Sequence, residues 1–353
     1  MKTFFKYFGL DLKHAAIRCM IFTLIAVVIM MIQLPDLIAP DVKKKIVYEK
    51  GEDGNYAEVE HITYVYDFCE TGMEELGDIL MVVATVMPFL CLYDLKNRRN
   101  TDTLYSLPLS RFKLSLTHFI SGFIQVLFIY TCAFFASYFY LLYNTDIFNL
   151  ANMLRYFPPS ILGALLIYCF YSFFFTVANR TIDGVIISGL WVYIIYSCFD
   201  YFDKSQNVFA AYWSSIYSPL DNLTSIYSYY AEPLYRVDWK YNQIGRILEN
   251  NYMFAVWAAV GLLCVIGFFI YSTKKKANKL GDDSDSIFAF RGAIPLFGVI
   301  YALHDYNPSI VDIALYTFIM YVVYRRSFKF KKLDYVIFAV TLALCFLIIK
   351  FFN

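Results

Sequence analysis

Charged residues are scarce in this sequence. Asp, Glu, Lys and Arg make up only 17% of the 353 residues, whereas 59% are hydrophobic and 20% are aromatic. A soluble domain is typically about a quarter charged and about half apolar. The apolar excess lies in runs that are long enough to cross a hydrocarbon core of about 30 Å as helices. The scarcity of charge therefore excludes an ordinary soluble domain and indicates a polytopic membrane protein.

Motifs for nucleotide, hydrolytic and metal chemistry are also missing. The chain has no G-x-x-x-x-G-K-[ST], so it cannot bind and hydrolyse ATP by the P-loop route. It has no G-x-S-x-G, H-E-x-x-H or G-x-G-x-x-G either. The 4 histidines are widely separated, and no pair of the 8 cysteines has zinc or disulfide spacing. We therefore expect no catalytic residues, no metal and no cofactor in this chain.

The sequence has instead a series of apolar runs, which predict an all-α polytopic membrane protein. Each run is interpreted as one helical span. The predicted spans are residues 16–34, 76–93, 114–143, 160–177, 184–198, 252–271, 287–303, 310–324 and 335–352. The run at 310–324 is short for a full crossing, so a tilted or partly interfacial helix is the alternative there.

The polar segments between the spans divide the chain. An amphipathic stretch at residues 1–15 predicts a short helix in the headgroup region, ahead of a six-span core at residues 16–272. Within the first outer loop, the alternating residues 61–66 hint at a short strand. The other segments are the outer loops 35–75 and 199–251, the cytoplasmic loop 94–113, the cytoplasmic linker 273–286 and the C-terminal hydrophobic helices 287–353.

The distribution of lysine and arginine predicts the orientation. With a cytoplasmic N-terminus, roughly twice as many basic residues lie in cytoplasmic segments as in outer loops, and they concentrate in short loops. We therefore expect a multi-pass protein of the cell membrane whose two longest polar loops face outward. Because the basic residues alternate with the spans and form no single patch, we expect the lipid bilayer as a partner and no nucleic acid.

Several charged residues lie inside or beside the predicted spans. Ionisable residues within a membrane are functional candidates, but most of these are near span ends, where a long side chain reaches the headgroups. Asp78, Arg180, Asp183 and Arg291 are therefore expected to anchor the interface. Asp312 is the strongest candidate for another role, because its short side chain cannot reach far.

The cytoplasmic loop 94–113 carries the most informative pattern. Thr101 and Asp102 both suit the N-cap of a short helix through Ser106, and Pro108 favours a turn after it. Ser110 suits the N-cap of the next helix. The product would be a short amphipathic helix that offers apolar and charged side chains to a soluble protein. On these grounds alone, the alternative of an ordinary positive-inside loop stays open.

The segment Asp102-Thr-Leu-Tyr-Ser-Leu-Pro-Leu-Ser-Arg111 resembles the signature of bacterial ABC transporter permeases of the ABC-2 type. In that family a basic stretch, an Asp, an aromatic or His and then Ser-Leu-Pro-[Ile/Val/Leu]-x-Arg lie between the second and third spans. A weaker match is residues 274–281 followed by 288–290, where Asn278 and Leu280 replace the family's Glu and Ala. The layout of residues 1–290 matches as well, and the last three spans resemble a tail common in the Firmicutes branch.

The resemblance implies a six-helix ABC-2-type core with an N-terminal interfacial helix and about three further C-terminal hydrophobic helices. It implies that the loop 94–113 forms a coupling helix that fits a cleft in a separate ATP-binding-cassette ATPase subunit. Two permease chains, identical or homologous, would enclose the substrate pathway. The residues implied to contact the ATPase are Arg98, Arg99, Asp102, Tyr105, Ser106, Leu107, Pro108 and Arg111.

The function implied by the resemblance is outward movement of an amphiphilic substrate, driven by ATP hydrolysis in the partner subunit. The chain itself would then be a transporter subunit and not an enzyme. Two alternatives stay open. An integral-membrane enzyme acting on lipid-linked substrates would need a catalytic cluster at one membrane face, and the sequence contains no motif for one. A membrane assembly or sensory protein would use the outer loops to bind a ligand.

Overall fold

The computed structural model describes residues 2–38, 41–50, 56–65, 68–97, 106, 108–144, 150–204, 259–274, 284, 286–304 and 309–352. These residues form nine α-helices and one two-stranded sheet. In chain order the helices are α1 (Lys2–Ile38), α2 (Phe68–Leu92), α3 (Arg111–Asn144), α4 (Leu150–Val177), α5 (Thr181–Lys204), α6 (Ala259–Lys274), α7 (Gly292–His304), α8 (Ile310–Arg325) and α9 (Lys332–Phe352).

Four of the described helices are long and apolar enough to cross a membrane. They contain the stretches Phe5–Leu34, Arg111–Tyr140, Ser160–Val177 and Lys332–Lys350. Large apolar side chains are turned outward, and Ile17, Leu24 and Leu263 are each 67% or 68% exposed. Such surface is unfavourable in water and favourable in lipid, while a helix satisfies its own backbone groups. The prediction of a helical, membrane-embedded protein is confirmed.

A β-hairpin lies between α1 and α2. Strands β1 (Asp41–Lys50) and β2 (Tyr56–Val65) pair antiparallel, with Asp41 opposite Val65 and Lys50 opposite Tyr56. The sequence hinted at a strand only at residues 61–66, and the hairpin is longer because β1 supplies a partner of equal length. The polar segment between α1 and α2 therefore contains sheet, whereas the part of the chain that carries the apolar runs is helical.

Helices α1 to α4 form the first packing unit. α1 runs along α3, and α2 lies against both α3 and α4. Their shared core is aromatic, and its largest fully buried side chains include Tyr130, Phe134, Tyr168 and Phe175. The hydroxyl of Tyr168 donates a 3.0 Å hydrogen bond to the carbonyl of Phe119, which satisfies a polar group that would otherwise be costly to bury.

The C-terminal helices α7 to α9 pack on this unit through α5. Before α7, the π-helical turn Ile287–Arg291 is interrupted by an extended residue, Ala289 (φ −86°, ψ −161°). The indole of Trp191 on α5 donates a 2.8 Å hydrogen bond to the carbonyl of Phe288, which satisfies a backbone group at this break. α8 and α9 then pack on α7 around the buried residues Ala302, Ile313 and Cys345.

Each predicted apolar run overlaps a described helix, but the boundaries differ. α1 continues from Lys2 to Ile38 without a break at residue 15, so the described chain has no separate interfacial helix. At 1.5 Å per residue, 37 residues span about 55 Å, which is longer than the hydrocarbon core. α8 has 16 residues and spans about 24 Å, in keeping with its short apolar run.

Candidate functional site

The first part of the candidate site lies where the loop after α2 begins. Lys96 is 7% exposed, and its ammonium group donates to the carbonyls of Phe175 and, at 3.5 Å, Arg180. The same ammonium lies 3.5 Å from the centroid of the Phe175 ring. Phe175 is one of the last four residues of α4, whose carbonyls lack partners within the helix. Lys96 therefore caps the negative end of α4 from a different element.

The second part is the turn between α4 and α5. Asp183, in the first turn of α5, is 6% exposed. Its carboxylate accepts a 3.3 Å hydrogen bond from Arg326, which lies in the turn between α8 and α9, and is 3.9 Å from the guanidinium of Arg180. A carboxylate at this position also suits the positive end of the α5 dipole. The Asp183–Arg326 pair joins the core to the C-terminal helices.

Two neutral side chains extend this cluster to the linker before α7. The hydroxyl of Ser284 donates a 2.8 Å hydrogen bond to the carbonyl of Val177, the last residue of α4. The hydroxyl of Tyr324 donates a 3.0 Å hydrogen bond to the carbonyl of Ser284. Four connecting segments thus meet at one end of the bundle. We call these residues the turn network: Lys96, Arg180, Asp183, Ser284, Tyr324 and Arg326.

The end of α2, where the loop 94–113 begins, is also held by α1. The half-buried guanidinium of Arg18 donates to the side chain of Gln125 at 3.2 Å, to the carbonyl of Leu90 at 3.2 Å and to the thiol of Cys91 at 3.3 Å. Leu90 is in the last turn of α2, so its carbonyl is another helix-terminal acceptor that a cation satisfies. Arg18 thereby connects α1 to α2 and α3.

A histidine is buried about two helical turns away from this arginine contact. His118 on α3 is 3% exposed, and its Nδ1 lies 3.3 Å from the carboxylate of Asp11. Its Nε2 lies 3.3 Å from the hydroxyl of Tyr7. Both ring nitrogens are therefore engaged within the protein. The Tyr7–His118–Asp11 cluster holds α1 against α3 and leaves neither nitrogen open to a substrate.

The structure places three of the eight residues implied to contact an ATPase. Ser106 and Pro108 are exposed, and Arg111 is exposed as the first residue of α3. The hydroxyl of Ser110 accepts a 3.4 Å hydrogen bond from the backbone nitrogen of Lys113, which confirms the predicted N-cap. The other five lie outside the described residues: Arg98, Arg99, Asp102, Tyr105 and Leu107.

Sequence reasoning missed most of the turn network. Asp183 was expected to anchor the interface, but it is buried and paired with arginines from two connecting segments. Lys96 was assigned only to the loop, because nothing local shows that its ammonium reaches α4. One signal was available, since Arg180 and Asp183 have the i,i+3 spacing of a helical ion pair. Asp312, the predicted exception, is exposed in the first turn of α8.

The contacts of this site connect the ends of several helices to one another. Among the described residues, no group of three or more His, Cys, Asp and Glu side chains could hold a metal ion. Comparison of the chain with protein-family models, with curated proteins and with solved structures gave no match. The case for a function therefore rests on the geometry of these contacts and on the resemblance of the loop 94–113.

Proposed function

We propose that this chain is the membrane-spanning permease subunit of an ATP-binding-cassette exporter of the ABC-2 type. In this proposal α1–α6 form the core, α7–α9 form a C-terminal extension, and a separate ATPase subunit hydrolyses ATP. The loop 94–113 is the coupling helix and lies in the cytoplasm with the N-terminus. Two such chains enclose a pathway along which an amphiphilic substrate moves outward across the bacterial cell membrane.

One observation carries the proposal: the start of the loop is anchored to the bundle on two sides by buried or half-buried cations. Arg18 ties the end of α2 to α1 and α3, and Lys96 ties the first turn of the loop to the end of α4. Beyond these anchors, Ser106 and Pro108 are exposed. An exposed segment on a fixed base is the arrangement that a docking lever requires.

The same contacts connect the proposed coupling loop mechanically to the helices of the bundle. A displacement of the loop acts on α4 through Lys96 and on α1 through Arg18. The Asp183–Arg326 pair extends the route from the turn after α4 to the C-terminal helices. Because packed interiors move as rigid bodies rather than deforming continuously, small shifts at such a base become movements of whole helices.

An enzyme acting on lipid-linked substrates fits less well. Such an enzyme would need a catalytic cluster that a substrate can reach. In the described part of the chain, the buried His118 has both ring nitrogens engaged, by Asp11 and Tyr7. This cluster therefore supports a structural role at the interface of α1 and α3.

Charge reversal in the loop tests the proposal. The full chain is co-expressed with an ATP-binding-cassette subunit encoded beside it, and co-purification and ATP hydrolysis are measured. We expect the R98E/R99E/R111E variant to lose most of the bound ATPase, because oppositely charged pairs at the docking surface become like-charged. A complex that forms and hydrolyses ATP at the unmodified rate would contradict the coupling role.

The matched control is K43E/K44E/K45E in strand β1. It reverses the same number of charges in the hairpin of the predicted outer loop, away from the proposed docking surface. We expect this variant to retain the ATPase subunit and its activity. Equal losses in both variants would mean that net charge, rather than the loop 94–113, decides assembly.

A further inference from the structure

The turn between α8 and α9 presents a concentrated positive charge. It has the sequence Arg326-Ser-Phe-Lys-Phe-Lys-Lys332, with four cations in seven positions. The side chains of Lys329, Lys331 and Lys332 are exposed, as is that of Arg326. The nearest acid along the chain, Asp334, is 1% exposed and already forms hydrogen bonds of 2.7 and 2.8 Å with Arg325. The outer surface of this turn is therefore cationic.

The turn also exposes an aromatic ring. Phe328 is 75% exposed. Two positions later, Phe330 is packed inward, with its ring centroid 5.6 Å from that of Phe318 and 5.5 Å from that of Tyr335. In water, an exposed phenylalanine side chain forgoes the favourable free energy of its burial. The outward ring is explained if the surroundings of this turn are apolar.

The conformation of the turn is fixed from within. Arg326 adopts a left-handed backbone (φ 49°), which is uncommon for a residue other than glycine. The backbone nitrogen of Lys331 donates a 3.1 Å hydrogen bond to Asp334, and that of Lys329 donates a 3.1 Å bond to Ser327. These bonds hold the turn in one shape, so the lysines and Phe328 are presented together. A ligand would therefore not have to order the backbone of the turn.

The position of the turn relative to the bilayer identifies the surroundings. The candidate spanning stretch of α9, Lys332–Lys350, begins where the turn ends, and α8, which packs on α9, ends where the turn begins. The turn therefore lies at headgroup depth, where lysines extend to the polar surface and aromatic rings occupy the interface. Clusters of four or more basic residues directly beside a spanning helix attract anionic lipids.

We propose that residues 326–332 form a binding site for the headgroups of anionic phospholipids, with Phe328 inserted among the adjoining acyl chains. The lysines make the site prefer negatively charged headgroups, and Phe328 sets how deeply the turn enters the membrane interface. Arg326 links the site to the turn network through Asp183, so bound lipid lies against the contact that joins the C-terminal helices to the core. This site does not depend on whether the chain transports a substrate.

Site-specific photocrosslinking tests the site in the full-length protein. The protein carries p-benzoylphenylalanine in place of Phe328 and is reconstituted into vesicles of equal parts phosphatidylglycerol and phosphatidylcholine. Lipid adducts are identified by mass spectrometry after illumination. One cation near a membrane surface changes the preference for anionic lipid by about fivefold. We expect the ratio of phosphatidylglycerol to phosphatidylcholine adducts to be at least about fivefold. In the K329Q/K331Q/K332Q variant we expect a ratio close to one.

The matched control is K6Q/K13Q/K274Q, which removes three other exposed lysines and the same charge. We expect it to keep the phosphatidylglycerol excess, and an equal loss in both variants would overturn a local site. The absence of any lipid adduct at position 328 would also overturn it. In a further arm, excess glycerol 1-phosphate is added. Retained adducts support a lipid site, whereas their displacement by the soluble phosphate would mean that the turn binds small phosphates instead.

Discussion

The role of Lys96 in the structure differs from the role that its place in the sequence suggests. In the sequence it is one cation of a basic loop. In the structure it is buried, and its ammonium donates to the carbonyl of Phe175, which α4 cannot satisfy itself, and to that of Arg180 in the following turn. Arg18 does the same for Leu90 at the end of α2. The cations around this loop therefore complete the termini of neighbouring helices, in addition to any role in orientation.

Substitution of Lys96 measures this role. We expect Lys96→Met to lower the free energy of unfolding by about 1–3 kcal/mol, because it leaves the acceptors at Phe175 and Arg180 without their cationic donor while preserving most of the side-chain volume. The measurement is thermal denaturation of the detergent-solubilised chain. Lys113→Met, which removes an exposed lysine, is expected to change stability by less than about 0.5 kcal/mol. Equal effects would contradict a capping role for Lys96.

At the scale of the residue, the sequence predicted local roles, such as caps and turns, better than it predicted long-range contact partners. Pro108 and Ser110 could be interpreted locally, because caps and turns depend on near neighbours, and Ser110 does cap α3. Asp183 could not, because its partner Arg326 lies in a turn that only the folded chain brings near. His118 is a similar case, since Tyr7 and Asp11 reach it from α1.

At the scale of the element, the close approach of α3 to its neighbours depends on Gly122. A Cβ atom there would overlap the hydroxyl of Tyr168 and would lie 3.0 Å from the Cβ and Sγ atoms of Cys91. Tyr168 has no exposed surface, and its hydroxyl is held by the carbonyl of Phe119. The helix can therefore accept a larger residue only if α3 shifts or this hydrogen bond breaks.

Gly122→Ala is expected to destabilise the protein by about 1–3 kcal/mol, the usual cost of overpacking a close contact. Gly189→Ala on α5 is the control, because a Cβ at that position meets nothing within 4 Å. In the control, alanine favours the helix by up to about 1 kcal/mol over glycine, so stability should stay equal or rise. The measurement is the detergent-solubilised melting curve of each variant. A Gly122→Ala protein as stable as Gly189→Ala would contradict the packing argument.

Element existence followed from composition, whereas element ends did not. An apolar run in lipid forms a helix, because unpaired backbone groups are costly there. α1 starts well before its predicted span, since Tyr7 and Asp11 find partners on α3 and the N-terminal segment packs there. The hairpin of β1 and β2 was only hinted at, because its pairing joins two segments that each carry a weak signal.

At the scale of the whole molecule, the contacts of the turn network place four connecting segments at one end of the bundle. Lys96 touches the turn between α4 and α5, and Arg326 touches the same turn. Cysteine labelling in cells tests the resulting topology. In a background without other reactive cysteines, we expect Ser106→Cys and Lys329→Cys to be protected from a membrane-impermeant maleimide, because the basic loops are predicted to face the cytoplasm.

Tyr143→Cys is the companion reporter in that experiment. Tyr143 is 89% exposed at the far end of α3, so it should react from outside intact cells. In inside-out vesicles the pattern should reverse. If Ser106→Cys and Lys329→Cys were labelled from different sides, the arrangement of α8 and α9 against the core would be wrong. If both were labelled from outside, the predicted orientation would be wrong, but the arrangement of the helices would still agree with the result.

The sequence by itself determined that the chain is a helical membrane protein, where its helices lie, and that no P-loop accompanies them. These features follow from local hydrophobicity and spacing, which lipid makes decisive. Only the tertiary structure decided what the charged residues do. Burying a charge requires partners, and the partners of the buried Lys96 and Asp183 and of the half-buried Arg18 lie on elements far away in the chain. Three-dimensional packing therefore anchors the start of the basic loop to the helices, which is the basis of its proposed role in coupling.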